Sequence, residues 1–134
     1  MNVLETEWWT LALPPEWWAE AEGETILIGD RDEVGVIEIS SLHKEVGEFQ
    51  AADLQQMTDD LSPDGVSWSK VDLGDFRGLR CRYQEEDAAL REWCVACDGL
   101  ALFITYSCDT ENAGMDDAAV DELLDTLMAL RRSE

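Results

Sequence analysis

Basic residues are scarce in this chain, with nine lysines and arginines against 31 aspartates and glutamates and a formal net charge of −22. A surface of this sign repels phosphate backbones and anionic lipid, which argues against nucleic acid and membrane surfaces as partners. The only lysines are Lys44 and Lys70, a composition that is common in acid-rich soluble proteins. The charge therefore has two interpretations, solubility or salt adaptation on one side and attraction of a basic partner over about 10 Å on the other.

Motifs for catalysis and export are also missing. His43 is the single histidine, and although Glu45 is close in sequence, no activated nucleophile accompanies the pair. There is no glycine-rich phosphate loop, and no apolar run approaches the roughly 20 residues of a membrane span. Residues 1–7 carry acids where a signal peptide needs a basic start and then an apolar run. We therefore expect a non-enzymatic cytoplasmic protein.

Four cysteines are the remaining candidates for chemistry: Cys81, Cys94, Cys97 and Cys108. Cys94 and Cys97 have C-x-x-C spacing, and four thiols are enough for a structural zinc site. In a strand, however, residues three apart point to opposite faces, so these two side chains cannot both reach one ion. We expect buried structural thiols without a metal or cofactor, with zinc binding and redox activity as the alternatives.

The apolar pattern predicts one domain over residues 1–134, since 46% of the residues are hydrophobic and the acids are dispersed along the chain. Alternation and β-branched runs predict seven strands. Asp98-Gly99 predicts a two-residue hairpin that would pair Cys97 with Leu100 and Cys94 with Phe103, with positive φ at both turn residues. A polar hairpin loop is expected over Gly29–Glu33. The predicted strands are Thr6–Leu13, Thr25–Ile28, Val34–Ile39, Val66–Leu73, Gly78–Gln84, Leu90–Cys97 and Leu100–Cys108.

Helical spacing predicts two longer helices and one short helical turn. The turn, Glu16–Ala19, would follow Pro14-Pro15, because proline suits a helix start. The first helix carries Leu54, Met57 and Leu61 and would end at a turn over 62–65. The closing helix would have Asp116 and Asp117 in its first turn, Arg131 and Arg132 at its end, and a long apolar stripe. That stripe consists of Val120, Leu123, Leu124, Leu127 and Met128.

The order β-β-β-α-β-β-β-β-α does not alternate as βαβ units do. It therefore predicts an α+β fold, a mainly antiparallel twisted sheet with helices packed on it.

This order and several short motifs resemble the PsbP/DcrB-like superfamily. Residues 13–17, Leu-Pro-Pro-Glu-Trp, are similar to its "LPxxW" signature, and 26–29 to the strand that follows. Residues 99–108 resemble its penultimate element, and 120–127 its closing helix. The resemblance implies an α/β/α sandwich that binds protein surfaces without catalysis. Its members include cytoplasmic chaperones of type VI secretion effectors.

Two tryptophan pairs are the candidate partner-binding residues: Trp8, Trp9, Trp17 and Trp18. Trp8 and Trp9 would face opposite sides of the predicted strand, and at least one tryptophan of each pair should enter the core. A second, partly exposed tryptophan can anchor a partner. We expect a bacterial protein-binding module, with a chaperone or adaptor for a secreted effector as its specific form. The alternative is an acidic immunity or inhibitor protein that neutralises a basic toxin. The partner would be another protein, either basic or with exposed apolar helices, and the sequence leaves the oligomeric state open.

Overall fold

Strands dominate the chain. The computed structural model describes residues 2–31, 34–44, 46–61 and 66–130, and the backbone alone of Leu61. Its first strands are β1 (Asn2–Glu5), β2 (Trp9–Leu13), β3 (Trp17–Glu22), β4 (Thr25–Asp30) and β5 (Gly35–His43). Helix α1 (Ala51–Leu61) precedes β6 (Ser69–Leu73), β7 (Phe76–Glu85), β8 (Ala88–Cys97) and β9 (Leu100–Asp109). A 3-10 turn (Thr110–Asn112), helix α2 (Asp117–Leu124) and β10 (Met128–Ala129) follow.

These strands form two sheets in which the recorded pairings are antiparallel. The larger sheet has the order β3-β4-β5-β9-β8-β7-β6, and the smaller has the order β1-β2-β10. The Asp98-Gly99 hairpin is confirmed with the predicted register, Cys97 opposite Leu100 and Cys94 opposite Phe103. Asp98 has positive φ, 54°, as predicted, whereas Gly99 does not, so the prediction of positive φ at both turn residues is wrong for Gly99. The α+β class with a mainly antiparallel sheet is thus confirmed.

The main core lies between one face of the seven-stranded sheet and a layer made of the small sheet and α2. Alternate residues of β5, β8 and β9 supply the sheet side, for example Ile37, Trp93 and Ile104, all within 1% of full burial. Trp9 and Leu11 of β2 face them from the small sheet, and Val120, Leu123 and Leu124 from α2. Burial of this apolar area drives the two layers together.

The predicted helical turn over Glu16–Ala19 is wrong, because Trp17 begins β3. The amide of Trp17 donates to the carbonyl of Pro14 at 3.0 Å, so Pro15 occupies the second position of a tight turn rather than a helix start. The chain then reverses and pairs along β4, with Trp17 opposite Asp30. Bulky aromatic side chains favour the pleated strand once a pairing partner is available.

The predicted closing helix is right at its start and wrong at its end. Asp117 lies in the first turn of α2 as expected, but the helix stops at Leu124 and Met128 lies in β10. Thr126 ends it: its hydroxyl donates to the carbonyl of Leu123 at 2.7 Å and accepts from the amide of Ala12 at 2.9 Å. The chain therefore turns to pair with the free edge of β2. Arg131 and Arg132 lie outside the described residues.

Other boundaries differ by a few residues. β2 begins at Trp9 rather than Thr6, because the Thr6 hydroxyl accepts from the Trp9 amide at 3.0 Å and closes a turn. β1, β3 and β10 are three strands that the predicted order did not contain. Gly29 belongs to β4, and β6 begins at Ser69 rather than Val66. Helix α1 contains the three residues that predicted it. The predicted turn 62–65 and part of the loop 29–33 lie outside the described residues.

Candidate protein-binding surface

The seven-stranded sheet has a second face, the outer face, which points away from the main core. Antiparallel partners point to the same side, so the register assigns each residue to a face. Helix α1 packs on this face over β7 and β8, where it buries Cys94 completely together with its own Thr58. The outer face is thus partly covered, and the part formed by β3, β4, β5 and β9 lies beside that helix.

That part carries apolar residues mixed with hydroxyls and one central carboxylate, and it will be called the open face. Its strand neighbours are adjacent in the register, for example Glu38 between Leu27 and Thr105. Most of its side chains are half-buried, whereas Trp18, Glu38 and Leu42 are exposed. The open face consists of Trp18, Leu27, Val36, Glu38, Ser40, Leu42, Phe103, Thr105 and Ser107.

Trp18 is the predicted anchor that lies on this surface. Its side chain is 41% exposed, and its indole Nε1 donates to the carbonyl of Asp30 at 3.3 Å. The ring lies flat against Gly29, where an added Cβ would come within 2.6 Å of the ring atom Cζ2. The glycine therefore makes room for the ring and holds it on the sheet. Leu42, at the far end of β5, is 52% exposed.

The structure separates the other three predicted tryptophans from the open face. Trp9 is wrong as a partner anchor, because it is 1% exposed and its Nε1 reaches Ser41 Oγ at 3.4 Å inside the core. Trp17 is half-buried against the core on the opposite face of β3. Trp8 is half-buried and packs on the ring of His43, with ring centroids 4.1 Å apart. The tryptophan pairs are therefore divided between several surfaces.

Sequence reasoning missed the apolar partners of Trp18. Leu42 and Phe103 lie at alternate positions to the core residues of β5 and β9, so both faces of those strands carry apolar side chains. The signal was present, since Ala101-Leu102-Phe103-Ile104 is a continuous apolar run rather than a strict alternation. Such a run is typical of a strand with an apolar neighbour on each side.

Charge is distributed unevenly over the large sheet. Strands β3, β4, β5 and β9 contain five acids and no lysine or arginine. Five basic residues lie on β6, β7 and β8, and three of them form ion pairs within 4 Å: Arg77 with Asp72, Arg82 with Asp117, and Arg91 with Asp117 and Asp121. The five acids of β3, β4, β5 and β9 are Glu20, Glu22, Asp30, Glu38 and Asp109. The open face is therefore acidic in its surroundings.

Cys81 and Cys94 lie in environments that suppress the reactivity of their thiols. Cys94 lies on the outer face under α1, whereas Cys97 points to the main core, as the strand geometry predicted. Burial raises the pKa of Cys94 to about 11 and, together with the charge of Glu92, that of Cys81 to about 12. Thiolate is the nucleophilic form, so both thiols stay inert at neutral pH. The described residues contain no cluster of three or more ligands that could hold a metal ion.

Glu92 is a buried carboxylate on the outer face of β8. It is 6% exposed, and its oxygens accept hydrogen bonds from the Tyr83 hydroxyl at 3.0 Å and the Cys81 thiol at 3.9 Å. Burial raises the pKa of Glu92, and the bond from Tyr83 opposes the shift. His43, by contrast, is exposed at the end of β5, and its contact is the Trp8 ring. The cluster around Glu92 is thus separate from the histidine.

No protein-family model matches the chain, and no curated protein matches it in sequence. Among the solved structures of similar fold is a crystal structure of a protein from Bacteroides thetaiotaomicron VPI-5482 determined at 1.50 Å resolution. The TM-score is 0.69 at 20% sequence identity, and the match covers 95% of this chain but 47% of that one. This chain therefore spans about half the length of its structural relative. None of the described helices is long and apolar enough to cross a membrane.

Proposed function

We propose that this chain is a non-catalytic protein-binding module whose open face receives another polypeptide. The observation that carries the proposal is the exposure of Trp18 and Leu42 on the two ends of one strand surface, with half-buried Leu27 and Phe103 between them. Apolar side chains that share one accessible strand surface are typical of interaction sites. Tryptophan in particular is enriched among the residues that contribute most to binding.

The specific form that we favour is a chaperone or adaptor for a secreted bacterial effector, acting in the cytoplasm. The resemblance of residues 13–17 and 120–127 to PsbP/DcrB-like motifs supports this form, as does a sheet with α1 on one side and α2 on the other. We extend the proposal to the α/β/α sandwich of that superfamily, with β1, β2 and β10 as an addition to one helical layer. The inert thiols of Cys81 and Cys94 are consistent with a role that needs no nucleophile.

A second candidate is an inhibitor that neutralises a basic toxin. The observation in its favour is the net charge of −22 together with the acidic character of β3, β4, β5 and β9. Long-range attraction would accelerate association, and the on-rate would fall steeply as salt is added. Both candidates use the same surface, so they differ in the chemistry of the partner rather than in the site.

Site-specific photocrosslinking tests the proposal. Benzoylphenylalanine at position 42 should give one discrete adduct in a lysate of the source organism. The matched control is position 115, where Met115 is also apolar and exposed, 67% accessible, next to α2 on the other side of the sheet. An adduct at 42 that survives high salt favours the chaperone form, and one lost at high salt favours the inhibitor. Adducts of equal yield at both positions, or none at 42, would contradict the proposal.

A further inference from the structure

We infer that the occupant of the open face is a cationic amphipathic helix that lies beside α1 and places a lysine or arginine over Glu38. This inference rests on the proposed function and specifies the chemistry of the partner. It follows from three features of the described residues: the space beside α1, the position of Glu38 within the apolar surface, and the absence of basic residues from the four strands beneath.

The dimensions suit a helix. Four strands spaced about 4.8 Å apart give the open face a width of roughly 19 Å, and an α-helix with its side chains is about 10–12 Å across. β5 has nine residues and so runs for about 30 Å, the length of a helix of about 20 residues. Helix α1 already packs in this manner on β7 and β8. A second helix would extend the same layer.

The carboxylate of Glu38 determines which charge a bound helix must carry. Its side chain is exposed in the middle of β5, with Leu27 and Thr105 beside it in the register. No lysine or arginine of the described residues lies within 4 Å of its carboxylate. A wholly apolar helix would cover this carboxylate and leave a desolvated, unpaired charge, which is costly. A cation at the matching position removes that cost.

The β3 edge of the surface has the same sign. Glu20 and Glu22 follow Trp18 on the same face of β3, since they pair with Leu27 and Thr25 of the neighbouring strand. Both are exposed. A helix that meets the apolar stripe with leucine-like residues therefore finds carboxylates at its centre and along one edge. Acidic or second-copy helices would be repelled, which leaves a cationic helix as the complementary occupant.

Three synthetic peptides test this with the full chain. Each is an amphipathic helix of about 20 residues with the same leucine stripe, and they differ at one central stripe position, which is lysine, glutamine or glutamate. Dissociation constants are measured by calorimetry for the wild type, Glu38→Gln and Glu122→Gln. Glu122 is an exposed acid on α2 and controls for loss of one charge elsewhere.

The expected result is a preference of the wild type for the lysine peptide over the glutamine peptide of about tenfold, as one close charge pair at an interface supplies. Glu38→Gln should abolish the preference, whereas Glu122→Gln should retain it. Leu42→Asp should weaken the binding of all three peptides. Because Leu42 and Glu38 are exposed, these variants should keep the wild-type circular dichroism spectrum.

Several outcomes would overturn the inference. If the lysine and glutamine peptides bind equally well and Leu42→Asp abolishes the binding of both, the open face binds helices but the requirement for a cation is contradicted. Equal effects of Glu38→Gln and Glu122→Gln would show that bulk charge alone acts. Binding of none of the peptides also contradicts the inference, and the crosslink at position 42 then decides whether the proposed function fails with it.

Discussion

Glu92 illustrates how burial controls a single residue. In the unfolded chain a glutamate loses its proton near pH 4.5, whereas burial raises the pKa of Glu92 in the folded protein. The folded state therefore holds the proton more tightly than the unfolded state. Its stability falls as the pH rises from 4.5 through the raised folded pKa, because ionisation then favours the unfolded chain.

Replacing Glu92 with glutamine should remove this loss. The amide oxygen can still accept the bond from the Tyr83 hydroxyl, but the side chain no longer ionises. We expect the difference in melting temperature, Glu92→Gln minus wild type, to increase as the pH is raised from 4 to 7. Glu122→Gln, at an exposed position, should show no such trend. A difference between Glu92→Gln and wild type that does not change with pH would contradict the argument.

The individual tryptophans show which residue roles local pattern can predict. Their sequence neighbours correctly implied that one member of the first pair is buried, and Trp9 is that residue. The placement of the Trp18 ring depends on Gly29, which lies opposite it in the β3–β4 register but eleven residues away along the chain. A pattern within either strand does not contain that contact. The sequence therefore predicts the candidates but not which of them lies on the surface.

Helix α2 is attached to the large sheet by charged groups as well as by its apolar stripe. Arg91 of β8 is nearly buried, and its guanidinium bonds Asp121 at 2.7 Å and Asp117 at 3.4 Å while it stacks on Trp93 at 4.7 Å. The Tyr106 hydroxyl donates to Asp116 at 2.9 Å just before the helix. These ion pairs and hydrogen bonds hold the first turns of α2 against the core face of the large sheet. The amphipathic stripe alone would allow the helix to slide or rotate.

Removing the Arg91 guanidinium should therefore loosen α2. We expect Arg91→Gln to lower the free energy of unfolding by about 2 kcal/mol, the range for hydrogen bonds to charged groups. Arg82 is the matched control, because it also pairs with Asp117, at 2.8 Å, but its side chain is 56% exposed. Arg82→Gln should cost less than about 1 kcal/mol, as exposed ion pairs do. Urea titration measures both, and equal losses would contradict the assigned role of burial.

Strand β3 and strand β10 show why two element predictions failed. Each follows a sequence that suits a helix, after Pro15 in one case and along the stripe to Met128 in the other. Each instead pairs with a strand that is close in space, β4 for Trp17–Glu22 and β2 for Met128–Ala129. Backbone pairing with an available edge outweighs a local helical preference of a few tenths of a kcal/mol per residue.

For the whole molecule, the net charge generates electrostatic self-repulsion. A net charge of −22 on 134 residues opposes compaction, because folding brings the carboxylates closer together. Few cations offset this, and Arg91 is the one whose side chain is nearly buried among the ion pairs of the described residues. Screening by salt should therefore favour the folded state.

We expect the melting temperature to rise by several degrees between about 10 mM and 0.3 M salt, because the screening length falls from about 30 Å to below 10 Å. NaCl and KCl should act equally, since screening depends on ionic strength. Scanning calorimetry or thermal circular dichroism measures the change. A melting temperature that stays constant or falls over this range would show that carboxylate repulsion does not limit stability.

Local periodicity and composition were enough to predict the α+β class, most strands, α1, the Asp98-Gly99 hairpin and the acidic surface. Each of these depends on residues a few positions apart, whose side-chain direction follows directly from the strand or helix repeat. The end of α2, the existence of β3 as a strand, the burial of Trp9 and the open face arose only when distant segments met. Those outcomes depend on which edge or face remains unpaired after the layers pack, and no short window of residues carries that information.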